Sequence, residues 1–201
     1  MSQLPAVFKI QEARFASIDA NISTESKTFI EHVRSIPGHK WEITLMSTPL
    51  NADDLSRAFG WACSLSGRFT AFSAVIPRYS NTKGIGAGSP VVRTATSQGA
   101  TAIPLQGFSG AVSGQLVAGD FVKFGNHSKV YIVTADANSN VSGQLTLNIH
   151  PQLMQPVPVN TPLIIRNVPF LLRKVRDVQE FKVDGRDGCI AKLELDCREA
   201  L

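Results

Sequence analysis

The chain reads as a mainly β protein, a β-rich α+β fold with one helix. Three observations predict it: short apolar alternations of period two, glycines at turn spacing between them, and one run with helical spacing. In the first third, Phe29, Val33 and Ile36 lead to a Pro37-Gly38 turn. Trp41, Ile43 and Leu45 then alternate with Glu42 and Thr44 as a strand buried on one face. The helix starts near Thr48 or Asn51, with Pro49 suited to a first helical position, Asp53 and Asp54 complementing the positive helix end, and Gly67 as the stop. Leu55, Ala58, Phe59, Ala62 and Leu65 share one side at helical spacing, so that side packs on the sheet. Arg68 to Ile76 reads as the next strand, closed by Pro77.

Between Gln115 and Leu153 the alternation is densest. Val122 and Phe124, then Val130 and Ile132, then Leu145, Leu147 and Ile149 alternate with Lys123, Tyr131, Thr146 and Asn148, while Gly119, Gly125 and Gly143 punctuate them. That is the pattern of a small closed barrel, with Val122, Phe124, Val130 and Ile132 pointing inward and Tyr131 pointing the other way. Two stretches frame it. RYSNTKGIGAGSP (78 to 90) is rich in Gly, Ser and Asn and reads as a linker or mobile loop, and MQPVPVNTP (154 to 162) favours extended backbone. The predicted organisation is therefore a discontinuous β-barrel or sandwich domain with the helix, residues 1–89 and 163–201, carrying a small β-barrel inserted at 90–162. Returning strands are expected at Leu163 to Ile165, Pro169 to Leu172 and Cys189 to Leu195, the last preceded by an Asp184-Gly185-Arg186-Asp187-Gly188 turn.

Composition narrows the function classes. Charged residues are 18% of 201, below the usual proportion of about 25%, while hydrophobic residues are 43%, so less of this surface is expected to face water than in a monomer. No run approaches the roughly 18 apolar residues of a membrane span, and Ser2 to Pro5 carry no secretory pattern, which points to synthesis in a cytosol. The net charge of +4 is a weak bias toward nucleic acid. The nearest basic cluster, Arg166, Arg173, Lys174 and Arg176, runs straight into Asp177 and Glu180 and reads as a solvated surface before a phosphate patch. Cys63, Cys189 and Cys197 are odd in number without CxxC spacing, and free thiols, at least partly buried, are expected.

No catalytic constellation assembles. His32, His39, His127 and His150 have no metal-ligand spacing, and Asp184 with Asp187 lacks the further carboxylates of a calcium loop. Gly84 to Gly88 is followed by Pro90 instead of a helix, and Gly107-Phe108-Ser109-Gly110 lacks the second spacer of a nucleophile elbow. Cys63 is expected to pack beside Ala62 and Phe59. Neither catalytic residues, cofactor nor metal are expected. A single-strand-binding surface would draw on Phe108, Phe121, Phe124 and Tyr131 with Lys123 and Lys129, for which core and rim packing is the preferred reading. Trp61 flanks the apolar stripe beside Arg57; it either covers its own core or, with Arg57 and Arg68, meets another subunit.

The order "AGD" opening a strand, "KVYIVTAD" as the next, then "GQLTLNIHPQL", resembles the inserted oligonucleotide/oligosaccharide-binding-type (OB-like) barrel of siphophage distal tail proteins, and CIAKLELDCREAL is similar to the end of their chains. The resemblance implies a structural virion protein without enzymatic activity: a homo-hexameric ring at the distal end of the tail, joining the tail tube to the hub or tip protein and the receptor-binding apparatus. The first domain would shape the lumen through which DNA passes without specific binding, and the inserted barrel would lie outside. The tape-measure protein and side fibres or a collar are further expected neighbours, the chain inserts in no membrane, and the ring closes through head-to-tail contacts. Two rival readings stand beside it, a carbohydrate- or host-surface-binding tail accessory and a single-stranded nucleic-acid-binding barrel protein.

Overall fold

The computed structural model describes residues 2–180 and 191–201. The first part of the chain forms β1 (Ser2–Gln3), β2 (Ile10–Glu25), β3 (Glu31–Ser47), the helix α1 (Ala52–Ser64) and β4 (Phe72–Val75). The middle forms β5 (Gly88–Val92), β6 (Ala102–Phe108), β7 (Val112–Leu116), β8 (Phe121–Phe124), β9 (Val130–Val133), β10 (Ala137–Ser139) and β11 (Leu145–His150). The chain returns through β12 (Leu163–Ile164), β13 (Pro169–Lys174) and β14 (Glu194–Glu199). Among the described residues the fold is mainly β with a single helix, as the alternations predict. The expected Asp184-Gly188 turn and the start of the Cys189 strand lie outside the described residues.

Six strands from both chain ends make one mixed sheet, β1-β4-β13-β14-β3-β2, parallel at β1 and β4 and antiparallel elsewhere. Ile43, Leu45, Phe72, Phe170, Leu172 and Leu195 fill its core against Leu55, Ala58, Ala62 and Leu65 of α1. Each fully buried Leu, Ile or Phe there contributes about 1.5–3 kcal/mol. The helix is set by its cap: Asn51 has extended backbone (ψ 171°) and its side chain accepts the Asp54 N–H at 2.8 Å. Helical residues therefore begin at Ala52 and Pro49 lies before the cap, because Leu50 is still bridged to Ala191. The helix stops earlier than Gly67, at a Leu65 C-cap, and Ser66 and Gly67 make the turn with positive φ. A side chain at Gly67 would meet Asp177 as well as strain the backbone.

Two expectations for this part are corrected. Pro37-Gly38 is no turn: β3 runs through it, and the chain reverses at Ser26 to Ile30. The ladder passes from Asp19↔His39 to Asn21↔Ser35, so three residues of β3 oppose Ala20 alone. This bulge accommodates the missing N–H of Pro37. The strand expected from Arg68 starts only at Phe72, because the turn after α1 continues through Phe69.

The second six-stranded sheet, β12-β8-β9-β11-β6-β5, is antiparallel throughout. Its ends meet through a Val91↔Pro162 bridge and Val92 N–H donating to the Thr161 carbonyl at 3.0 Å, which nearly closes the barrel. β7 and β10 form a separate two-stranded ribbon. The 154–162 crossing is extended as expected, with Val157 and Thr96 exchanging both backbone hydrogen bonds. The 78–90 stretch, however, is not a free linker. Asp120 accepts from Lys83 N–H at 2.8 Å and from the Thr82 hydroxyl, Ile85 and Gly86 donate to the Gly114 and Gln115 carbonyls, and a Cβ on Gly84 would lie 2.5 Å from the Gln115 oxygen. The glycines serve close backbone approach, a role that composition alone cannot tell from flexibility.

Strand β9 reverses the inward-outward assignment. Tyr131 and Val133 face the barrel core with Val122 and Phe124, whereas Val130 and Ile132 face the first core, where Phe121 and Ile164 join them. Both faces of β9 are buried, so alternation marks the strand without telling which side is which. Among the described residues no helix is long and apolar enough to cross a membrane.

Candidate functional site

The first candidate is the distal half of the β2–β3 hairpin. β14 pairs with β3 only from Glu42 to Met46, whereas the β2–β3 ladder runs on to Glu25↔Glu31. Among the described residues, the hairpin beyond Trp41 is a two-stranded arm, and β2 is an edge strand for its whole length. From Asp19 to the reversal the arm projects roughly 20 Å at about 3.3 Å per residue. Ile18, Ile22, Phe29, Ile30, Val33 and Ile36 are exposed on it, Phe29 at 87%. A lone two-stranded hairpin is at best marginally stable in water, and long apolar edges pair readily with other strands. These residues give no clean period-two pattern, which is why the sequence does not reveal the arm.

The second is the junction between the sheets, a buried polar cluster. Lys129 and Glu199 form an ion pair with side chains 2% and 0% exposed. Glu199 also accepts the Val130 N–H at 2.9 Å and the Trp41 N–H at 3.3 Å, and the Trp41 indole donates to the Val130 carbonyl at 2.8 Å. The Lys129 ammonium donates to His39 Nδ1 at 2.8 Å. Burial first, then the Lys129 charge, lower the His39 pKa to about 4. Burial likewise lowers the Lys129 pKa, and Glu199 opposes it. The barrel strand β9 is thus tied to β3 and β14 by charge-assisted bonds between buried side chains. Spacings of 90 residues between His39 and Lys129 and 70 between Lys129 and Glu199 leave no local sequence signal.

The rival single-strand platform is absent among these residues, and the preferred packing reading holds. Phe108, Phe121, Phe124 and Tyr131, the only aromatic residues of the barrel segment, are all buried, as is Lys129. Tyr131 bonds to His127 Nε2 at 2.8 Å and accepts the Met154 N–H at 3.1 Å, and its pKa is pushed up to about 12 by burial foremost. The basic cluster is engaged within the fold. Arg166 donates to the Ile85 carbonyl at 3.2 Å, Arg173 to the Phe69 carbonyl at 3.3 Å, Lys174 is buried beside the Ala62 carbonyl, and Arg176 lies 4.0 Å from Asp196. Only part of it is the solvated surface expected.

Of the proposed contact residues, Arg57 is exposed on α1. Trp61 is half-buried, edge-on to Phe72 at 5.1 Å, with its indole N–H donating to the Ser2 hydroxyl at 3.0 Å. Arg68 is exposed and paired with Asp177 at 3.3 Å. Cys63 departs from expectation: it is exposed, because the residue after Ala62 is rotated about 100° off the buried stripe. Cys197 is buried, its pKa raised to about 12 by desolvation foremost, and Cys189 lies outside the described residues.

Residues 83–164 match the family model described as distal tail protein pb9, B domain. The match contains the whole 115–153 stretch that carries the resemblance and coincides with the barrel sheet, so the likeness to siphophage distal tail proteins is shown, with residues 1–82 and 165–201 outside the matched span. No curated protein matches the chain.

Proposed function

We propose, from the presence of a distal tail protein B domain at residues 83–164, that this chain is a structural component of a siphophage virion, forming a ring between the tail tube and the tail tip. The family match carries the reading. The arm supports it, because an unpaired β2 edge and an arm whose β3 edge is also free are two different surfaces of one subunit. Head-to-tail pairing of such surfaces closes into a ring when the rotation allows. A hexamer, a lumen lined by the sheet built from both chain ends, and DNA passing without specific contacts complete the proposal. The tube, the hub or tip protein, the tape-measure protein and side fibres or a collar are its neighbours, and its role is mechanical instead of enzymatic. Residues 1–89 and 163–201 are the ring domain and 90–162 the inserted barrel. Exposed Arg57 and Arg68, with Trp61 at the rim of α1, form a second proposed contact between subunits.

Neither rival gains a supporting observation. Both the glycan reading and the single-strand reading need exposed aromatic rings on the barrel, and its four aromatic residues are buried. Cryo-electron microscopy of assembled tails tests the proposal. It should show this chain as one ring at the distal end of the tube, with 90–162 on the outside. Density repeated along the tube, a position at the capsid end, or absence from the virion would refute it.

A further inference from the structure

We propose that Asp19, His39 and His150 form a binding site for a single imidazole-preferring dication of the Zn2+ class, placed where the arm leaves the sheet and touches the barrel. The three side chains come from separate strands. Asp19 of β2 and His39 of β3 face each other directly across the hairpin ladder, and His150 is the last residue of β11. One ligand atom from each lies within 4.8 Å of the other two. His39 and His150 meet edge-on with ring centroids 5.1 Å apart.

One separation already matches coordination, and His39 lies within a short shift of the other two. His150 Nε2 lies 3.3 Å from Asp19 Oδ1, long for a charge-assisted hydrogen bond. With metal bonds of about 2.0–2.1 Å, the edge of a tetrahedral site is about 3.3 Å. Two imidazoles and one carboxylate select zinc, cobalt or nickel over calcium or magnesium, which demand oxygen cages, and leave a fourth position to water. His39 is buried while Asp19 and His150 are about 40% exposed, so an ion enters from solvent onto a fixed inner ligand.

The present partners decide what coordination displaces. Lys129 has no acceptor capacity as an ammonium, so its bond at 2.8 Å assigns the His39 lone pair to Nδ1, with Nε2–H donating to Ser17 Oγ at 2.9 Å. A dication competes with Lys129 for that lone pair, and Lys129 keeps Glu199 and the His39 carbonyl. The Lys129 charge is already offset by Glu199, so the carboxylate left for the ion is that of Asp19. Coordination through His150 Nε2 leaves the ring proton on Nδ1. The bound ion cross-links β2, β3 and β11 at the root of the arm.

The test uses the full chain, stripped with chelator and titrated with Co2+ and Zn2+ by absorption and calorimetry. The expected result is one saturable site in the micromolar range, with visible cobalt bands of nitrogen and oxygen ligation and a raised Tm. Asp19→Asn and His150→Gln, both at half-exposed positions, should each weaken binding by roughly tenfold or more, while Cys63→Ser leaves it unchanged. Absence of saturation at millimolar metal, affinity unmoved by both the Asp19 and His150 changes, or sulfur-to-cobalt absorption lost in Cys63→Ser would each overturn the site.

Discussion

At the residue scale, the Lys129–Glu199 pair determines how firmly the barrel is held. A buried pair adds little over an apolar pair of the same volume, but breaking one side of it costs about 3–5 kcal/mol, because a charge is left in a dry site. Glu199→Gln keeps the shape and removes the charge opposing the Lys129 ammonium. It should lower stability by about 3–5 kcal/mol, read as a drop in the urea midpoint at unchanged slope. A shift below about 0.5 kcal/mol would mean that water reaches the cluster in solution. Two histidines set the acid limit. Burial foremost, with Lys129 at His39 and Lys123 then Lys129 at His127, lowers both pKa values from 6.5 to about 4. The unfolded chain binds more protons than the folded one between those values, so stability should fall as pH drops from 6.5 to 4. Urea midpoints measured across that range should decline, and His127→Gln should flatten the decline. A flat profile in the parent chain would show that both rings are charged in the fold.

At the element scale, what the sequence makes legible is whatever a local rule decides. The helix face at Leu55, Ala58, Ala62 and Leu65 and the inward residues Leu145, Leu147 and Ile149 follow from periodicity and are buried as read. Residue type narrows the helix cap to Thr48 or Asn51, and the structure takes Asn51. Three features escape local rules. The bulge at Pro37-Gly38 imitates a turn, because Pro and Gly serve both; the lacing of Gly84 and Gly86 onto Gly114 and Gln115 imitates a linker; and β9 hides its orientation by burying both faces. The candidate sites were less legible still, since both the arm and the junction are defined by what a distant strand does or fails to do. The arm yields the test at this scale. Replacing residues 22–34 by an Asn-Gly turn joins Asn21 to Ser35, which are already paired, and leaves the Trp41 to Ser47 ladder intact. The shortened chain should keep its far-ultraviolet spectrum and unfold with a similar Tm, yet fail to form rings or enter tails. Normal incorporation would remove the arm from the assembly contacts.

At the scale of the whole molecule, two cores meet across one face of the barrel, to which β8, β9 and β12 contribute Phe121, Val130, Ile132 and Ile164. The barrel core is filled by Val92, Leu105, Phe124, Tyr131, Leu147 and their neighbours, whereas Phe121 and Val130 lie in the core of the other sheet. The proposed inserted unit has a core of its own and should fold when excised, yet it is not cut along a neutral surface. Excision exposes Phe121, Val130 and Ile132 and returns Lys129 to water, where it no longer needs Glu199. The loop before β5 belongs with the barrel for the same reason. Thr82 donates its N–H to the Ile165 carbonyl at 3.0 Å, and Lys83, Ile85, Gly86 and Ala87 donate to Asp120, Gly114 and Gln115. Two fragments separate these effects. Residues 82–165 should give dispersed amide resonances and a single urea transition, at a lower midpoint than the full chain. Residues 90–162, which lack those bonds and Ile165, should unfold at a lower midpoint still, because Asp120 and the Gln115 amide lose partners that they hold in part-buried surroundings. Equal midpoints for the two fragments would show that the 82–89 loop contributes nothing to the barrel. A disordered 82–165 fragment would refute the inserted domain itself, leaving one cooperative unit in which the two sheets fold only together.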